Sequence, residues 1–360
     1  MKKNHIYFID VLRGISIFLV LLHHFNIPYK IHLEGLDWIN IICRNGNYGV
    51  TIFFVISGFL ITQTSIKRYS SLLNINIKDF YIRRIARILP CLTLLIFLVS
   101  ILVFLKVPVF INHTPNGVSV SYAETVLAAL TFSMNILIIH YGWVNYVLGV
   151  LWSLSVEEVF YIAFPIIFTF FISSIKSIYP IFVFIILYAI YFRSQFYMDK
   201  NEAYLYHYFS SFDAIVIGCM LGLLYNNKKY VRCLYQLRYM TIIVLIFLYC
   251  YKPIHDVSTW SMTVFALLIA ILIYSYQDKY KNKIMFKPLI YMGQKSYEIY
   301  LFHLIVLGFI KLIFTPSATS YFEKILLCGV YLIISVILGN FIAKYYSNPL
   351  NQKIRKRFLI

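Results

Sequence analysis

Charge is scarce in this 360-residue chain: only 13% of residues are charged, and acidic ones number 14 against 32 basic. With 61% of residues hydrophobic and gathered in long runs, a soluble fold of this length is excluded. Cysteine is sparse. Cys43, Cys91, Cys219, Cys233, Cys250 and Cys328 lie mostly in or beside apolar runs. No CxxC or His/Cys spacing points to a metal, and no disulfide framework is implied. The first apolar run has no small-residue cleavage site after it, so it reads as a retained helix. No internal repeat or low-complexity linker is seen in these residues, and no appended soluble domain is expected. The expectation is one integral membrane domain over residues 1–360, all-α and polytopic.

Ten runs are apolar enough to span: Ile6–Phe25, Tyr48–Ile66, Ile88–Leu105, Leu151–Ser173, Tyr179–Phe192, Phe209–Tyr225, Tyr239–Tyr251, Thr259–Tyr276, Ser296–Phe314 and Tyr321–Tyr346. Tyr179–Phe192 and Tyr239–Tyr251 are short for a hydrocarbon core of about 30 Å. The net charge of +18 could suggest nucleic acid, but its placement argues otherwise. Lys and Arg cluster in 67–87, 226–238, 277–295 and the tail, and such loops stay cytoplasmic. All four fall on one side, with both termini cytoplasmic, only if the run Ala123–Ile139 does not cross. That run is therefore expected to re-enter or lie on the outer surface. The basic excess is then orientation signal and contact with anionic lipid.

Ionisable groups inside spans are costly and face a protein interior or a cavity. In the first span, Asp10 and Arg13 are three apart and share a helix face. His24 follows Arg13 by eleven residues, about 16 Å along the same face. A plainer alternative is an Asp10–Arg13 pair that only fixes packing, with His24 at the lipid interface. Gly49, Ser57 and Gly58 read as packing positions. At the mouth of the third span, Arg84 and Arg87 project together, and paired guanidinium forks suit phosphates. A positive-inside anchor is the alternative. Glu157 and Glu158 open the fourth span, in the outer half by this topology, where one of them would face the His24 stripe and set its tautomer or share proton transfer. Asp213 reads as interfacial or capping. Glu298 and His303 sit in the ninth span, where His303 alone would be a core histidine.

Five ordered motifs carry a resemblance. They are Asp10-x-x-Arg13-Gly14 followed by His24 with ten residues between the Arg and the His; Phe53-Phe-Val-Ile-Ser-Gly-Phe59; Arg84-x-x-Arg87-x-x-Pro90; Trp152-Ser-Leu-Ser-Val-Glu157-Glu-x-Phe-Tyr161; and Tyr300-Leu-Phe-His303. The chain resembles the acyltransferase-3 family of integral membrane O-acyltransferases of bacterial surface polysaccharides, from about His5 to Tyr346. The resemblance implies acyl transfer, acetyl most of all, from cytoplasmic acyl-CoA to a glycan hydroxyl, with no metal. It places the chain in the bacterial inner membrane as a multi-pass protein. O-antigen, capsule, exopolysaccharide, secreted oligosaccharide and peptidoglycan all stay open as acceptors. Arg13, His24 and Glu157 take the catalytic positions and Arg84 and Arg87 the donor-binding ones. Asp10, Trp152, Glu158, Tyr300 and His303 support them. A transporter or flippase of a lipid-linked sugar is the alternative that polar span residues alone would allow.

Overall fold

A computed structural model describes residues 7–30, 37–227, 231–276 and 286–359. All regular structure among them is helical. In chain order the α-helices are α1 (Tyr7–Tyr29), α2 (Asp37–Arg44), α3 (Asn47–Tyr69), α4 (Ile77–Phe104), α5 (Tyr122–Leu130), α6 (Met134–Tyr141), α7 (Leu151–Ile166) and α8 (Ile178–Gln195). Then follow α9 (Ala203–Tyr206), α10 (Tyr208–Leu224), α11 (Val231–Gln236), α12 (Arg238–Tyr251), α13 (Ile254–Ser275), α14 (Lys287–Gln294), α15 (Ser296–Ile313), α16 (Tyr321–Ile342) and α17 (Asn348–Phe358).

Among the described residues nine helical stretches are long and apolar enough to cross a membrane. The protein is thus an all-α polytopic membrane protein. Nine of the ten expected spans correspond to these stretches. The tenth, Tyr239–Tyr251, corresponds to α12, whose 14 residues reach about 21 Å, short of a hydrocarbon core. The Ala123–Ile139 run is no single helix. Ser121 starts α5 through a capping box with Glu124, and the chain breaks between α5 and α6. Each piece is under half the length a span needs. Lys228, Lys229, Lys279, Lys281 and Lys283 of the basic loops lie outside the described residues.

The chain divides into two compact units. One holds residues 1–72, 174–205 and 209–296; the other holds 73–173, 206–208 and 297–360. In the first unit, small residues let helix backbones touch. A Cβ on Gly58 would lie 1.8 Å from the Ile215 carbonyl oxygen, and one on Gly218 would lie 2.1 Å from that of Val55. The α3–α10 crossing therefore requires glycine on both sides, with a Gly-x-x-x-Gly pair, Gly218 and Gly222, on α10. Gly49 similarly meets Ser16, whose hydroxyl donates to the Gly49 carbonyl at 2.9 Å. The packing role expected of Gly49 and Gly58 is what the helices use.

The second unit is built on α4, α7, α15 and the continuous run α16–α17. Asn76 caps α4 by accepting from the Asp79 amide at 2.9 Å. The Tyr297 hydroxyl of α15 donates to the Ile88 carbonyl of α4 at 3.0 Å, and Tyr81 donates to Ile162 of α7. Ser320 begins α16 with a second capping box.

Candidate active site

The expected site residues divide between the units. Asp10, Arg13 and His24 belong to the first; Arg84, Arg87, Trp152, Glu157, Glu158, Tyr300 and His303 belong to the second.

In the first unit, Arg13 and His24 are half-buried on α1 and Asp10 is 5% exposed. Asp10 accepts from Gln294 of α14 at 3.1 Å. That bond depends on how closely α1 and α14 approach. A Cβ on Gly14 would lie 2.1 Å from the Leu289 carbonyl oxygen, and one on Gly293 would lie 1.9 Å from that of Asp10. The glycine after Arg13 thus serves contact with α14, a helix formed inside the basic stretch 277–295. The adjacent histidines differ. His23 donates from Nδ1 to the Cys43 carbonyl at 3.0 Å, which puts its proton on Nδ1 and ties α1 to α2. His24 holds its ring 5.5 Å from that of His23, near perpendicular.

In the second unit, Arg84 meets both carboxylates. Its Nε donates to Glu158 Oε1 and Oε2 at 2.9 and 3.1 Å, and its Nη2 donates to Glu157 at 2.7 Å and also to Glu158. The Tyr161 ring lies 3.7 Å from the guanidinium carbon, within cation–π range. This corrects the expected depths. Arg84 was expected at the cytoplasmic mouth and the two glutamates in the outer half, yet they touch. Part of the cause is that α4 begins at Ile77, eleven residues before the apolar run at Ile88, so Arg84 sits two turns inside a helix. Glu157 and Glu158 also separate: the Glu158 side chain is 6% exposed and that of Glu157 is 25%. Glu158 is the buried anchor and Glu157 the accessible acid. Arg87 is exposed, with its guanidinium 5.9 Å from the Tyr297 ring centre. The two arginines therefore do not form a matched fork.

The remaining members are placed by short-range contacts. Ser153 donates to the Tyr300 hydroxyl at 2.7 Å, and Tyr300 donates to the Val150 carbonyl at 2.9 Å. His303 donates from Nδ1 to the Tyr300 carbonyl and is 1% exposed. Trp152 sets its ring 4.9 Å from Tyr206, edge to face. Glu298 is buried and accepts from Ser347 at 2.7 Å.

Asp213 is also corrected. It is 1% exposed and accepts from Arg193 at 2.9 Å, neither interfacial nor a cap. Arg193 is fully buried. Its other donors go to the Thr259 carbonyl at 3.2 Å, the Ser210 carbonyl and the Thr263 hydroxyl. Nothing in local sequence marks Arg193, because it ends a span where a basic residue is ordinary.

The family model described as an acyltransferase domain, acyltransferase-3, matches residues 6–344. The chain belongs to this family. It is 28% identical over 340 residues to "Putative O-acetyltransferase SACOL0978" of Staphylococcus aureus strain COL, which covers 86% of this chain and 52% of that protein. It is 24% identical over 374 residues to "O-acetyltransferase OatA" of Staphylococcus aureus strain NCTC 8325, covering 97% of this chain and 58% of that protein. The chain thus spans little more than half the length of these curated relatives. No solved structure matches the chain.

Proposed function

We propose that the protein is a membrane O-acyltransferase. In this reading it moves an acyl group, acetyl first, from cytoplasmic acyl-CoA to a hydroxyl of a surface polysaccharide or oligosaccharide, from the inner membrane. The observation that carries the proposal is the match of an acyltransferase model to nearly the whole chain, with the names of its relatives pointing to O-acetyl transfer. The placement of Arg13 and His24 within an apolar 23-residue helix supports it, since intramembrane ionisable groups mark chemistry or pathways.

The chemistry follows from the side chains. His24 takes the proton of the acceptor hydroxyl as general base, and the hydroxyl oxygen attacks the thioester carbonyl. The C–S bond then breaks, and the CoA thiolate leaves with a proton. In a variant of this route His24 first carries the acyl group. Arg13 stabilises the negative charge developing on the carbonyl oxygen, a contact worth more in a low-dielectric site than in water. Arg87, the exposed member of its pair, contacts the donor phosphates. Arg84 shares that task at its open edge while Glu158 fixes its orientation. Glu157 takes the acidic role; Asp10 supports Arg13 and His24 in the first unit, and Trp152, Tyr300 and His303 support Arg84 and Glu157 in the second.

Mass spectrometry of surface glycan tests the reading, comparing cells that carry the intact chain with cells that carry His24→Ala at equal membrane level. An acyl-group mass present only with the intact chain is the expected result. Glycan unmodified in both overturns the proposal.

A further inference from the structure

One cation at the histidine end of α1 meets no carboxylate among the described residues. Arg44 ends α2, and its Nε is sealed from solvent with no hydrogen-bond partner among the described residues. It forms no ion pair with any described residue. The side chain is half-buried. A guanidinium at a helix C-terminus gains a little from the helix dipole, but that does not supply a buried N–H with an acceptor. Buried donors are nearly always satisfied, so an open one on a cation asks for an anion.

The residues on either side are locked. The Cys43 carbonyl holds His23, the neighbour of His24. Asn45 is fully buried. It donates to the Tyr249 and Lys252 carbonyls at 2.6 and 3.0 Å and accepts from the Ile254 amide at 3.0 Å. A Cβ on Gly46 would lie 2.2 Å from the Cβ of His23, so the turn after Arg44 is pressed against α1. Five bonds and contacts thus fix the backbone that carries a guanidinium whose Nε has no acceptor among the described residues. Such a cation is organised before its ligand arrives, which favours affinity and geometry together.

We infer that Arg44 is a specificity-determining residue that binds a negatively charged group, a phosphate or a carboxylate, of the acceptor at the histidine end of α1. This rests on the acyltransferase reading for the word acceptor; the anion contact itself does not. The planar fork suits either group in a two-point contact. An acceptor held there presents its hydroxyls to the helix end that carries His24.

The test is binding to the purified full chain in detergent, with three oligosaccharide-sized probes: an oligouronate, a glycerol-phosphate oligomer and a neutral glucose oligomer. The intact chain binds one or both charged probes more tightly than the neutral one, and the stronger of the two identifies the anion. Arg44→Gln weakens that binding about 10- to 100-fold, the span of one charge-assisted hydrogen-bonded contact, and leaves the neutral probe unchanged. Arg44→Lys keeps the charge but not the fork, so it retains a preference for charged probes at lower affinity. It also serves where the glutamine variant fails to accumulate. Equal binding of all three probes by the intact chain, or unaltered binding in Arg44→Gln, overturns the inference. Charged-probe binding by a chain that leaves glycan unacylated removes the enzymatic reading and leaves the anion site standing.

Discussion

Glu157 and Glu158 are neighbours in sequence and differ in surroundings, because successive helix residues point about 100° apart. Glu158 faces into the second unit and grips Arg84 through both oxygens; Glu157 keeps a quarter of its side chain open. Truncating Glu158 strips Arg84 of its main counter-charge. Glu158→Ala should therefore cost about 3–5 kcal/mol, read as a lowered melting temperature in detergent. Glu157→Gln should melt within a few degrees of the intact chain and lose acyl transfer. Equal melting of both variants would remove the division of roles. Arg193 and Asp213 allow a cleaner test, since both are buried in one unit. Arg193→Met alone should destabilise by about 3–5 kcal/mol, whereas Arg193→Met with Asp213→Leu should recover most of the loss. A double variant as unstable as the sum of the singles would show that the hydrogen bonds to Ser210, Thr259 and Thr263 matter more than the ion pair.

At the scale of elements, α14 is the part that changes how the first motif is understood. Gly14 and Gly293 bring α1 and α14 to backbone contact, and Gln294 then reaches Asp10. Overpacking such a crossing costs about 1–3 kcal/mol, with the helices forced apart. Gly14→Val should lower acyl transfer through displacement of α14, although valine touches no reacting group. The check is a disulfide trap: a cysteine pair at Asp10 and Gln294 should cross-link readily with Gly14 intact and poorly with Gly14→Val. Unchanged cross-linking would mean that the crossing tolerates the side chain. The same logic explains why the Phe53–Phe59 motif ends in Ser-Gly-Phe: Gly58 meets Ile215, and Phe59 is fully buried beside it.

For the whole molecule, orientation is the property that labelling can read. Cys233 is exposed on α11, in the basic stretch expected to face the cytoplasm. Cys43 is buried on α2, and burial pushes its thiol up to about 11, so it holds its proton at pH 8. In a Cys250→Ser background, a membrane-impermeant maleimide should label Cys233 in inside-out vesicles and not in intact cells, and should leave Cys43 unlabelled in both. Labelling of Cys233 from outside would invert the orientation.

Much of this protein follows from sequence alone, because the signals are local. Eighteen or more apolar residues in a row define a span wherever they occur, and helix caps and basic loops act within a few residues of themselves. The motifs around Arg13, Arg84 and Glu157 are legible in the same way. Tertiary structure decided what those residues touch. Arg84 and Glu158 are 74 positions apart, Asp10 and Gln294 are 284 apart, and Asn45 and Ile254 are 209 apart. Such pairings depend on which helix faces meet, and helix period does not carry that information across a loop. Arg44 and Arg193 make the point together. Each is a basic residue near the end of a helix, and only packing satisfies Arg193 on every side and leaves the Arg44 Nε without an acceptor among the described residues.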